Sequence, residues 1–101
     1  MSTILDEISL AWEMEGFLGL LRDQEFDEKK GEFFLQRLKL VNFNNEDQIP
    51  KNIVSFLWYI PIFMEWQSAK IESIIVAEKF KKYVNLQSQI LVELERILGV
   101  P

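Results

Sequence analysis

The chain has 101 residues, of which 49% are hydrophobic and 13% aromatic, and a net charge of −5. That is apolar material for one compact domain and too much for a disordered segment. It contains no cysteine and no histidine. This excludes a disulfide framework, a thiolate nucleophile, a cysteine-ligated metal centre, and the side chain most used as general base and transition-metal ligand.

The acidic balance argues against nucleic acid, whose phosphates attract clustered Lys and Arg. Three Pro and four Gly leave little material for hairpins or a phosphate-cradling loop. The opening MSTILDEISL places Asp6 and Glu7 where a secretory signal carries positive charge, and it lacks a long apolar core, so a cytoplasmic location is expected.

In chain order, Thr3 and Asp6 form a T-x-x-D arrangement that suits a helix start. Ile4, Leu5, Ile8 and Trp12 share one arc, and Met14, Phe17, Leu18 and Leu21 share an adjoining one. The spacing predicts a single helix from about Thr3 to Arg22, with Gly16 and Gly19 as weak points, each costing about 1 kcal/mol relative to alanine. Asp23 or Asp27 then caps a second helix running to about Val41, with Phe34, Leu38 and Val41 as its inward stripe. The polar stretch NFNNEDQIP, residues 42–50, reads as the substantial loop.

In the stretch IVSFLWYIPIFMEW, residues 53–66, only Ser55 and Glu65 are polar. A helix apolar on every face belongs in an interior, and the run is shorter than the ~20 residues that span a bilayer. A central helix over about 48–66 is therefore expected, opened by Asp47 with Pro50 in its first turn and kinked or broken by Pro61 near Tyr59 or Ile60. The competing reading is a buried strand pair split at Pro61; the length of the run and its lack of flanking turn signals favour helix.

From Ser68 to Leu98 the pattern stays helical, but Ile71, Ile74 and Ile75 face away from Phe80, Tyr83, Val84, Ile90, Leu91, Leu94, Ile97 and Leu98. Either the helix breaks near Asn85, or its first part lies between two partners. Gly99 and Pro101 supply the stop. The expected fold is a single all-α domain over 1–101: a compact bundle of four to five helices around the kinked central helix.

Chemistry is sparse. Without His, a di-metal bundle site cannot be built. Glu13 and Glu15, like Glu93 and Glu95, are two apart and face different sides of a helix. Asp23, Glu25 and Asp27 alternate as in a calcium loop but lack its glycine and final glutamate. No catalytic residue, metal or cofactor is expected. The run EKFKKY, with Lys79, Lys81 and Lys82, is explained as a solvated face in which Glu78 supports Lys82. Trp12, Trp58 and Trp66 read as core, although Trp12 could instead anchor a partner.

Charge is polarised along the chain. Residues 1–28 hold eight acids (Asp6, Glu7, Glu13, Glu15, Asp23, Glu25, Asp27, Glu28) against Arg22 alone, a net of −7, whereas residues 29–101 are net +2. Helix-start electrostatics explains part of this. The alternative is a docking face for a basic protein.

A small, acidic, cysteine-free helical chain with such a face resembles the bacterial immunity proteins of colicin and contact-dependent growth inhibition systems. The resemblance is one of overall character across the whole chain and rests on no motif. It implies a non-enzymatic inhibitor that binds a basic toxin or nuclease domain and occludes its active site. The carboxylates of Glu13, Glu15, Asp23, Glu25, Asp27 and Glu28, with Trp12 as apolar anchor, are the expected contact residues on charge grounds. A phage-encoded inhibitor of a nucleic-acid enzyme would use the same face. A structural protein self-associating through Ile90, Leu91, Leu94, Ile97 and Leu98 is the alternative from a different class.

Overall fold

A computed structural model describes residues 4–43 and 48–101. Among these are five α-helices and no strand: α1 (Ile4–Leu10), α2 (Phe17–Arg22), α3 (Glu28–Lys39), α4 (Lys51–Ile74) and α5 (Ala77–Leu98). α5 packs against both α3 and α4, while α1 and α2 bridge α3 and α4 from the other side. The helices thus form a four-cornered ring: α5, α3, the α1–α2 pair and α4. Leu18, Leu21, Leu38, Leu57, Ile60, Met64, Ile71 and Tyr83 fill its centre, with no measurable solvent exposure. The all-α reading holds. The radius of gyration of 13.6 Å is close to the ~13 Å of a compact 100-residue domain.

The expected first helix, Thr3 to Arg22, is two helices. α1 stops at Leu10, and the chain turns through residues 11–16 before α2 begins. The Ala11 carbonyl accepts from the Leu18 and Gly19 backbone amides at 2.8 and 3.1 Å, so the end of the first turn satisfies the free donors at the start of α2. The two segments approach so closely that a Cβ on Gly19 would overlap the Glu13 carbonyl. Gly19 is there because the backbones touch, which helix propensity alone does not reveal. The Thr3 cap lies outside the described residues.

α2 ends in a Schellman motif. The Glu25 amide donates to the Leu20 carbonyl and the Gln24 amide to that of Leu21, with Gln24 at a left-handed φ of 64°. This reversal sends Phe26 into the core, where its ring meets Phe17 and Tyr83 edge-on at 6.4 and 5.2 Å. Of the two candidate caps for the next helix, Asp27 is the one used: its Oδ1 accepts from the Lys30 amide at 3.0 Å.

Arg96, in the last turn of α5, closes the other end of α3. It donates to the Val41 and Leu38 carbonyls at 2.9 and 3.0 Å, and its Nε bonds Glu93. A cation placed on terminal carbonyls also complements the helix dipole.

The expected 42–50 loop is described only in part, since residues 44–47, including Asp47, lie outside the described residues. α4 opens at Lys51 with Pro50 as its N-cap residue, and it runs through Pro61 without interruption to Ile74. It is eight residues longer at its C-terminal end than the expected 48–66. The change of apolar face between 71 and 80 is resolved by a break at Ile75 and Val76, not near Asn85, which lies within a continuous α5. Two helices meeting at a sharp junction can each turn their own stripe inward. Tyr83 then reaches across to donate its hydroxyl to the Met64 carbonyl at 2.7 Å. Burial, reinforced by the nearby Glu65 charge, pushes the phenol well above its ordinary pKa, so it remains a donor.

Candidate docking surface

The turn after α2 and the first half of α3 build an acidic hollow of about 740 Å³ against the start of α5. Glu25, Asp27, Glu28 and Glu32 line it with Lys29 and Lys79, so its net charge is negative. The local sequence explains the gathering. The Schellman reversal swings Glu25 back over the helix end, Asp27 sits at the cap, and Glu28 and Glu32 are one helical turn apart on one face of α3.

Not all of this charge is available to a partner. Asp27 gives Oδ1 to capping, and Glu28 pairs with Lys82 at 3.3 Å. Lys79 lies over the Phe26 ring, 5.8 Å from its centroid. Lys82 therefore pairs with Glu28 on α3, not with Glu78 as its helix spacing suggests. Glu25 and Glu32 are exposed.

The remaining expected contact residues are placed differently. Glu13 and Glu15 are exposed on the α1–α2 turn, and Lys30 Nζ donates to the Glu15 carbonyl at 2.5 Å, tying that turn to the first turn of α3. Asp23 is exposed at the end of α2. Neither Glu13, Glu15 nor Asp23 lines the hollow. Trp12 is half-buried: its Nε1–H donates to the Phe56 carbonyl at 2.9 Å, and its ring packs edge-on against Phe63 at 5.1 Å. It joins the α1–α2 turn to α4.

An exposed aromatic that the charge pattern does not single out, Phe33, lies close by. Beside the acidic hollow, and sharing Lys29 with it, is an apolar groove of about 400 Å³ between α1 and α3. Leu10, Phe17, Phe33 and Phe34 line it, with Lys29, Lys30, Arg37 and Glu7 around them, and Phe33 is 61% exposed. Phe33 lies about 100° around the helix from the buried Phe34, enough to take it off the inward stripe. Glu32 was legible in principle, as the helical i+4 neighbour of Glu28. At the groove's edge Arg37 pairs with Glu7 and lies over the Phe33 ring, linking α1 to α3.

Among the described residues no group of three or more His, Cys, Asp or Glu is arranged to hold a metal ion, and no helix is long and apolar enough to cross a membrane. The proposed C-terminal seam is largely committed to the core. Ile90 and Leu94 are buried, Ile97 and Leu98 pack against the core, and Leu91 is 42% exposed. No protein-family model matches this chain, and neither does any curated protein or any solved structure.

Proposed function

We propose that this chain is a protein-binding inhibitor of the immunity type, which neutralises a basic toxin or nuclease domain by covering its active site with the acidic hollow. The observation that carries the reading is the gathering of Glu25, Asp27, Glu28 and Glu32 around one concavity beside an apolar groove. A carboxylate surface complements the Lys and Arg with which a nuclease holds phosphate, and it accelerates encounter. The exposed Phe33 supplies the apolar hot spot that such interfaces need.

The set of contact residues shifts accordingly. Glu25, Asp27 and Glu28 remain, Glu32 and Phe33 join them, and Glu13, Glu15 and Asp23 become peripheral. The experiment is a binding titration against basic nuclease and toxin domains, the product of the adjacent gene first if it encodes one, with Phe33→Ala and Glu25→Lys/Glu32→Lys as variants. Weakening by about tenfold or more for each supports the reading, since hot-spot truncation and charge reversal act on this scale. Binding that neither variant alters counts against it.

A further inference from the structure

A helix apolar on every face is normally enclosed, yet α4 has companions on one side only. α1, α2 and α5 pack against it and α3 does not. Leu57, Ile60, Phe63, Met64 and Ile71 point into the core. On the opposite side, Trp58 is 49% and Trp66 63% exposed. Tyr59 bridges the two indoles, with ring centroids 5.5 Å from Trp58 and 5.8 Å from Trp66. Ile62 and Trp66 share a depression with Pro61 and with Leu91 of α5, and the one carboxylate there, Glu65, accepts from Gln87 at 3.0 Å.

We infer that a second copy of this chain covers this face, the two α4 helices lying antiparallel about a two-fold axis through Ile62. The composition favours a copy over a separate soluble partner. Permanent homodimer interfaces are rich in apolar and aromatic surface and poor in charge, whereas interfaces between independent proteins are about as polar as the surface around them. Here two tryptophans, a tyrosine, a proline, an isoleucine and a leucine surround a single carboxylate that already has a partner.

The order of residues is self-complementary as well. Trp58 and Trp66 stand one helical turn either side of Ile62, so the axis sets Trp58 against the partner's Trp66. It sets the small Ser55 against the partner's Ala69. Area agrees. With 24 residues, α4 is about 36 Å long, and with α5 beside it the face is about 20 Å wide. The resulting ~700 Å² is close to the ~800 Å² per partner of a standard interface and below the ~1,000 Å² or more of a permanent homodimer, so the dimer expected is a reversible one.

Sedimentation velocity on the full chain at micromolar to sub-millimolar concentration tests this. The expected species has a mass of about 24 kDa, twice the 12.0 kDa chain. Trp66→Glu, at an exposed position, should weaken self-association by about 30-fold or more while leaving the helical circular dichroism unchanged. A wild-type monomer throughout that range overturns the inference, as does a dimer that Trp66→Glu leaves intact. A monomer that binds a basic partner equally well with and without Trp66→Glu would overturn the dimer while leaving the inhibitor reading standing.

Discussion

Replacing Arg96 with Met keeps most of the side chain's apolar length and removes the guanidinium that closes α3. Two carbonyls, those of Val41 and Leu38, lose a charged donor at 2.9 and 3.0 Å. A hydrogen bond to a charged group contributes about 1.5–3 kcal/mol where water is excluded. The Arg96 side chain is 44% exposed, so water replaces part of what is lost, and about 1 kcal/mol per bond is the fitting scale. The exposed pair with Glu93, at 2.8 Å, adds little. The expected cost is therefore about 2 kcal/mol, or a fall of roughly 10 °C in Tm for a domain of this size. Urea titration followed by circular dichroism at 222 nm measures it, with an unchanged m-value indicating that the same surface unfolds. Glu93→Gln is the control and should cost less than about 0.5 kcal/mol. A loss below about 0.5 kcal/mol for Arg96→Met would refute the argument, because it would mean water satisfies those carbonyls equally well.

Three further substitutions test separate parts of the fold by the same titration. Gln24→Gly should stabilise by about 0.5–1 kcal/mol, since the left-handed φ of 64° strains any residue with a Cβ; a destabilisation would contradict that reading of the turn. Gly19→Ala should destabilise by about 2 kcal/mol or more, because the new Cβ overlaps the Glu13 carbonyl, whereas in an uninterrupted first helix it would stabilise by about 1 kcal/mol. Gln67→Met should stabilise by about 1 kcal/mol, as Gln67 Oε1 is buried without a hydrogen-bond partner among the described residues; a loss of that size would reveal a partner for it.

Much of the architecture was legible from apolar spacing. The Phe34–Leu38–Val41 stripe and the helical character of 53–66 follow from periodicity and are present, while local chemistry narrows the cap only to Asp23 or Asp27, of which Asp27 is used. The breaks were harder to read because tertiary contacts set them. The turn at 11–16 exists because α2 folds back onto the end of α1, with Ala11 accepting two amides across the reversal. The corner at Ile75 and Val76 carries neither Gly nor Pro, so nothing in the local sequence announces it.

The same distinction applies to the docking surface. Glu25, Asp27 and Glu28 are neighbours in sequence and remain neighbours in space, while Glu13 and Glu15 are held on another turn. Trp12 illustrates the limit of composition. A tryptophan suits an anchor and a core equally well, and composition does not show its bond to Phe56 or its contact with Phe63.

Isothermal titration of this chain against a basic toxin or nuclease domain, the product of the adjacent gene if it encodes one, at low and at raised salt, tests the inhibitor reading most directly. The expected result is a tight one-to-one complex per chain that weakens as salt screens the carboxylates, and that Glu25→Lys/Glu32→Lys weakens by about tenfold or more. No binding, or binding that neither salt nor charge reversal alters, would contradict an acidic hollow acting as the inhibitory surface.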